Sequence, residues 1–267
     1  MDYTSRYGLE FNPFIKNSKD MFITTHESKE IALRLNYLIN IKGFGLLTGS
    51  PGKGKTTAVR NFISSLNQSL YTVIYICLST ITTNEFYKQL ASKLGAIPAF
   101  RKIDNFKLIQ NEINRLSFEK HKTPIIILDE ADSINYHTLN DLKIIFNFDM
   151  DSKDNAVLLL VGLPKLNNTL GLSIHEPLKQ RIIMNYNLEG LSKDEARNYI
   201  LEKIKQAGCK QDIFNEQAIE AIINSADGTM RIINKICNSC LLIGHSLKTD
   251  IITSEVVMKA INDSELG

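Results

Sequence analysis

Lys55, Thr56, Asp129 and Glu130 are the residues whose types and placing could do chemistry together. Lys55 and Thr56 stand in the run Gly49-Ser50-Pro51-Gly52-Lys53-Gly54-Lys55-Thr56-Thr57, which has the Gly-x4-Gly-Lys-Thr spacing of a P-loop. Its glycines let the backbone turn tightly and bring N–H groups up to a polyphosphate. The helix expected from Thr56 onward offers an N-terminus that favours anions. Lys55 is placed to reach the β- and γ-phosphates, and Thr56 to ligate Mg²⁺. Asp129 and Glu130 end the apolar run "PIIIL" at 124–128. Asp129 can hold Mg²⁺ through water, and Glu130 beside it can orient and deprotonate an attacking water. A Glu in this place favours hydrolysis over phosphoryl transfer to a small substrate.

Two arginines extend the set. Arg181, in "EPLKQRIIMNYNL", precedes the last expected strand, an edge from which it could reach a neighbouring subunit's nucleotide. An arginine supplied in trans stabilises charge on the transferred phosphoryl group. Arg231, in "DGTMRIINK", opens a helix after Gly228, where it can touch the γ-phosphate and couple the angle of a helical lid to nucleotide state.

These residues need a scaffold that gathers strand ends. "HESKEIALRLNYLIN" at 26–40 has helical spacing, and a strand at 43–48 runs into the P-loop and a helix to about 67. A strand follows at 71–79, then helices at 83–95 and about 104–120, the strand at 123–132 and a helix at 138–148. Strands at 155–164 and 181–190 complete the pattern. Continuous apolar strands alternating with helices imply a parallel sheet covered on both faces. The 71–79 strand lies between P-loop and acids in the sequence, which permits an inserted central strand. After Gly190 every segment reads as helix. The expected division is an α/β nucleotide-binding domain at 1–190, with an irregular start at 1–25, and a helical lid at 191–267.

Bulk properties exclude several classes. The chain has 267 residues and a net charge of +2, so no global field announces nucleic acid. No apolar run approaches the ~18 residues of a membrane span, and the N-terminus lacks a signal-peptide core. A cytosolic protein without a membrane partner is expected. Of the four cysteines, Cys237 and Cys240 form a C-x-x-C without a second pair, inside an amphipathic helical pattern. They read as reduced core thiols and not as a zinc site.

Taken in order, "GSPGKGKTT", "PIIILDEAD", "LLLVGLP", "LKQRI" and "GTMRIINKI" resemble the Walker A, Walker B, sensor 1, arginine-finger and sensor 2 regions of an AAA+ ATPase. The chain is most similar to the ExeA/TnsC/MuB-type group. That resemblance implies a five-stranded parallel sheet plus a helical lid. It also implies ATP and Mg²⁺ as cofactors, with Lys55, Thr56, Asp129, Glu130, Arg181 and Arg231 in the roles given. The opening "YGLEFNPF" resembles the group's adenine-side segment, which implies Asn12, Pro13 and Phe14 near the base. One departure stands out. The sensor 1 place, polar in such proteins, holds Leu163, so slow or partner-stimulated hydrolysis is expected; Asn167 or Asn168 could substitute.

Soluble members of this group assemble on duplex DNA with ATP and deliver a transposase to its target. The segment 82–107 is consistent with that, offering Thr82, Thr83, Lys88, Arg101, Lys102 and Lys107 to phosphates. In this clade the corresponding element lines the pore of a ring or helical filament. Such contacts carry little sequence information. The expected partners are therefore duplex DNA, a transposase and further copies of the chain. The alternatives are a secretion or envelope-assembly ATPase and a low-turnover nucleotide switch.

Overall fold

A computed structural model describes residues 3–264 apart from 17, 20 and 79. The chain divides into two compact units. The α/β unit comprises Glu30–Ser50 and Lys55–Leu188; the helical unit comprises the residues through Lys29, Pro51–Gly54 and Glu189 onward. The expected division is at 190; the α/β unit ends at Leu188 and the helical unit resumes at Glu189. The N-terminal segment and the P-loop tip, however, group with the helical unit.

The α/β unit is built on strands β1 (Gly43–Gly49), β2 (Tyr71–Cys77), β3 (Thr123–Asp129), β4 (Val157–Gly162) and β5 (Ile182–Leu188). All pairings are parallel, in the order β2-β3-β4-β1-β5. The strand inserted between the P-loop strand and the acid-bearing strand is thus β4, and β2 lies at the sheet edge. Burial explains the arrangement. Every residue of β4 is buried, as suits a strand with neighbours on both sides, whereas β2 is half-buried and alternates at its end. Ser79, the end of the expected second strand, lies outside the described residues.

In chain order the helices are α1 (Tyr3–Arg6), α2 (His26–Ile41), α3 (Lys55–Ser65), α4 (Thr83–Lys93), α5 (Lys102–Asn114), α6 (Tyr136–Ile145), α7 (Lys165–Leu170) and α8 (Glu176–Lys179), then α9 (Lys193–Gln206), α10 (Glu216–Ala226), α11 (Met230–Ser246) and α12 (Ser254–Ser264). One face of the sheet packs on Ile31, Leu35 and Leu38 of α2 and Val59 and Phe62 of α3. The other packs on α4 to α8 through Phe86, Leu90, Ile109, Ile113, Leu142, Leu166 and Leu178. Each such fully buried side chain contributes on the order of 1.5–3 kcal/mol of transfer free energy. Thr82 and Ser192 start α4 and α9 with capping boxes, closed by Glu85 and Glu195. A π-helical turn at Arg115–Glu119 extends α5, so the expected long helix over 104–120 is two kinds of helix.

The helical unit has its own core, which Tyr7, Leu9 and Phe14 join alongside Ile200, Ile204 and Ile233. That burial is why residues 1–25, read as irregular, group here; they also contain the short helix α1. Cys237 and Cys240 are buried free thiols of α11, as expected for core residues. Lys203 of α9 is also buried, donates to the Pro13 carbonyl at 2.6 Å and lies over the Phe14 and Tyr199 rings. Burial pushes its ammonium down to about 8, opposed by the nearby Cys237. Charged Lys203 therefore opposes folding below pH 8, and the folded state gains stability as pH rises from 8 toward the unfolded value near 10.4. Relative to Lys203→Met, wild type should gain about 3 kcal/mol across that window. Urea unfolding of both proteins at pH 7.5 and pH 10 measures the difference; a pH-independent gap would refute it.

Candidate nucleotide site

The chain leaves β1 at Gly49, makes the loop and enters α3 at Lys55. Gly52 and Gly54 have φ of 78° and 101°, a left-handed region where a side chain would be strained, so the loop needs glycine there. The Lys55 ammonium donates to the carbonyls of Gly49 at 2.6 Å and Ser50 at 3.1 Å. It is thereby held across the mouth of its own loop. Thr57 is exposed on the first turn of α3.

Asp129, the last residue of β3, is only 4% exposed. Its Oδ2 accepts the Thr56 hydroxyl at 3.0 Å and the Tyr75 phenol at 2.7 Å, and its Oδ1 accepts the Glu130 N–H at 2.9 Å. Glu130 is exposed and left-handed, with φ 56° and ψ 36°. That conformation costs a non-glycine residue of order 1–3 kcal/mol and turns the chain sharply just after the strand. Burial and the Asp129 carboxylate both push the Tyr75 phenol above its ordinary range, so it donates as a neutral group. A hydroxyl beside a buried carboxylate is a hard oxygen set, the kind that holds Mg²⁺ together with phosphate and water. Thr56 and Asp129 therefore fit the expected metal.

The sensor 1 place behaves unlike the expected polar one. Leu163 donates its N–H to Asp132 Oδ1 at 2.9 Å, and Lys165 pairs with Asp132 Oδ2 at 2.9 Å. Burial alone would raise the Asp132 carboxyl, but the Leu163 N–H and the Lys165 ammonium hold it below its ordinary range. Asp132 thus ties the turn after β3 to the turn after β4. The Asn167 amide donates to Thr48 Oγ1 at 3.0 Å, and Thr48 donates to Asn187 Oδ1 at 3.0 Å. Asn167 is thereby engaged beneath the loop, joining α7, β1 and β5. Asn168 is exposed, and its carbonyl accepts the Gly171 N–H.

Within the helical unit, the P-loop tip meets the turn before α11. The Arg231 N–H donates to the Gly52 carbonyl at 3.3 Å, and Lys53 Nζ bonds the Asp227 carbonyl at 2.5 Å. Arg231 thus contacts the P-loop through its backbone. Asn12 and Phe14 are buried in this unit: the Asn12 amide donates to the Tyr3 hydroxyl and Asn238, and its carbonyl accepts the Phe14 N–H. Pro13 offers its carbonyl to Lys203.

Arg181 is held inside its own subunit. It donates to the carbonyls of Lys143 at 2.8 Å and Phe146 at 3.1 Å, and its guanidinium lies 4.6 Å from the Phe44 ring centre. A cleft of about 690 Å³ opens beside it, lined by Phe106, Gln110, Ile144 and Pro177 among others. To serve a neighbour's nucleotide, Arg181 must leave these partners.

Residues 39–170 match the family model described as AAA domain, and they contain the P-loop, both acids and four of the five strands. The chain carries an AAA domain. The chain is 29% identical over 246 residues to General secretion pathway protein A of Aeromonas hydrophila, covering 90% of its own length and 44% of that protein. It is 24% identical over 207 residues to the Mu-like prophage FluMu DNA transposition protein B of Haemophilus influenzae, covering 77% and 64%. The chain thus spans less than two thirds of either relative. Among solved structures, Cdc6p from Pyrobaculum aerophilum superposes with a TM-score of 0.73 at 16% identity, over 96% of this chain and 71% of that one. The Thermotoga maritima RuvB Holliday junction branch migration motor gives 0.62 at 18%, over 96% and 74%. At such identities the likeness is one of fold.

Of the residues expected to meet DNA, most have a partner. Thr82 caps α4 with Glu85, and Thr83 bonds Asn135 and Thr138. Arg101 pairs with Asp104 at 2.7 Å and Lys102 with Asp141 at 2.5 Å. Lys107 is exposed on α5, and Lys88 lies over the Phe100 ring. The Asn105 side chain, missed in the sequence, is fully buried; it donates to the Ala99 and Arg101 carbonyls and accepts the Ala99 N–H. It fixes a loop on which Ile97 and Phe100 are 91% and 85% exposed. An Asn six residues after an apolar Pro-containing turn was the available signal. No helix among the described residues is long and apolar enough to cross a membrane.

Proposed function

We propose that the chain is an ATPase that assembles on duplex DNA in its ATP-bound state and brings a transposase to the target. In this reading Lys55 and the loop N–H groups bind the phosphates, Thr56 and Asp129 hold Mg²⁺, and Glu130 takes the proton of the attacking water. Mg²⁺, when bound, neutralises charge on the phosphates. Leu163 supplies no polar side chain to that water, which is why turnover is slow until DNA or a partner adjusts the site. Arg181 of one subunit serves the nucleotide of the next after leaving Lys143 and Phe146.

The observation that carries the DNA reading is the fixed loop between α4 and α5. Two exposed apolar side chains stand there with Lys88, Arg101, Lys102 and Lys107 close by in the sequence. The Arg101–Asp104 pair is solvent-exposed and weak, so phosphate can replace its carboxylate, whereas the Asp141 carboxylate that pairs with Lys102 is largely buried. The names of the transposition relative and of the branch migration motor agree with this reading.

Each phosphate neutralised adds roughly 0.9 to the log–log salt slope, and an assembly multiplies a weak single contact. Duplex binding should therefore require a non-hydrolysable ATP analogue, ignore sequence and fall steeply with salt. Replacing Arg101 and Lys102 together by Ala should flatten the slope without changing nucleotide affinity. An unchanged slope moves the DNA surface elsewhere on the chain. Absence of wild-type binding at low salt rejects the transposition reading and favours a secretion or envelope-assembly ATPase, which the 29% identity to the secretion relative supports.

A further inference from the structure

Tyr75 is the feature of the site that neither the P-loop nor the acidic pair accounts for. It sits on the edge strand β2, in register with Ile127, and reaches along the sheet to Asp129. Its hydroxyl lies 2.7 Å from Asp129 Oδ2, the same oxygen that takes the Thr56 hydroxyl at 3.0 Å. The residue is 36% exposed, so the ring borders solvent while its phenol meets a carboxylate that is almost wholly buried.

A buried carboxylate must have donors or it loses its charge. Here three converge, from Thr56, Tyr75 and the Glu130 backbone. They differ in what carries them. The Glu130 N–H belongs to the adjacent peptide and fixes only Oδ1 locally. The Thr56 hydroxyl has a second duty, since it is itself a metal ligand in the function proposed above. Metal ligation through a lone pair leaves the Thr56 O–H able to donate still, but Thr56 then moves with the P-loop and its ligand, whereas Tyr75 holds Oδ2 from the sheet.

The geometry points to Tyr75 as a positioning residue for Mg²⁺. It keeps the Asp129 carboxylate aimed, so that Mg²⁺ arriving with the nucleotide would meet a fixed acceptor. This inference rests on the nucleotide reading and adds to it a residue outside both acidic and glycine-rich motifs. Residues that orient a metal's ligands typically change metal affinity by 10–100-fold when their hydrogen bond is removed.

The test is Tyr75→Phe, which keeps the ring and deletes the donor. A fluorescent ATP analogue is bound first in EDTA and then across a magnesium chloride series, with no turnover needed. The Mg²⁺ concentration for half-maximal tightening should rise about tenfold in the variant. Affinity in EDTA and at saturating Mg²⁺ should match wild type. An unchanged half-point overturns the inference and leaves the nucleotide reading intact. Weaker binding in EDTA as well also overturns it, because Tyr75 would then support the loop and not the metal. A wild type whose binding ignores Mg²⁺ removes the metal-assisted reading and this inference with it.

Discussion

Glu130→Gln lowers ATP turnover a hundredfold or more while leaving ATP affinity within about twofold of wild type. The amide keeps the size and the hydrogen-bonding reach of the carboxylate but takes no proton from water. Loss of a general base is typically worth 10²–10⁴ in rate. The substitution leaves the surroundings alone: Glu130 is exposed, and its backbone N–H, not its side chain, serves Asp129. Because binding survives and turnover does not, the ATP-bound assembly should persist after nucleotide addition, where wild-type assemblies decay. Phosphate release, with light scattering followed over time, measures both halves. Wild-type decay in the variant would remove Glu130 from the role of base.

Lys55→Ala weakens ATP binding about a hundredfold, because charge-assisted hydrogen bonds to phosphate are worth roughly 1.5–3 kcal/mol each. The loop also loses the bonds from Nζ to Gly49 and Ser50, which now tie its two ends. Fold is preserved, since the sheet core holds Leu46, Leu47 and Val59 without help from this ammonium. Equilibrium binding of a fluorescent ATP analogue, with thermal unfolding as the control, decides the matter. ATP affinity equal to wild type in a folded variant would show that the loop is not the phosphate cradle.

The candidate phosphate site was legible in the sequence because its geometry is local. Gly49 to Thr56 are consecutive, and Asp129 and Glu130 directly follow a strand whose apolar run is unmistakable. The alternation of strands and helices was legible for the same reason. Strand order was not. Nothing in "YTVIYIC" or "VLLLVG" says which stands next to β1; that depends on how two edges share a sheet, and the wholly apolar run won the centre. Long-range side-chain partners were also hidden. Tyr75 meets Asp129 across 54 residues, and Asp132 meets the Leu163 turn across 31. Each looks like an ordinary strand tyrosine or turn acid until the chain is folded. The sequence reads Arg181 as a group that could reach a neighbouring subunit's nucleotide, because it precedes the last strand. The structure gives it the last carbonyls of α6 and the Phe44 ring.

The Asn105 clamp has a thermodynamic consequence. A surface loop ordinarily loses backbone freedom when something binds to it, about 1–2 kcal/mol for each residue fixed. Here part of that freedom is already gone, because one buried amide satisfies both the N–H and the C=O of Ala99. Whatever meets Ile97 and Phe100 encounters a tip pinned at Ala99, and the entropy of fixing that residue is already spent in folding. The apolar area covered on contact can then convert into affinity with little offset.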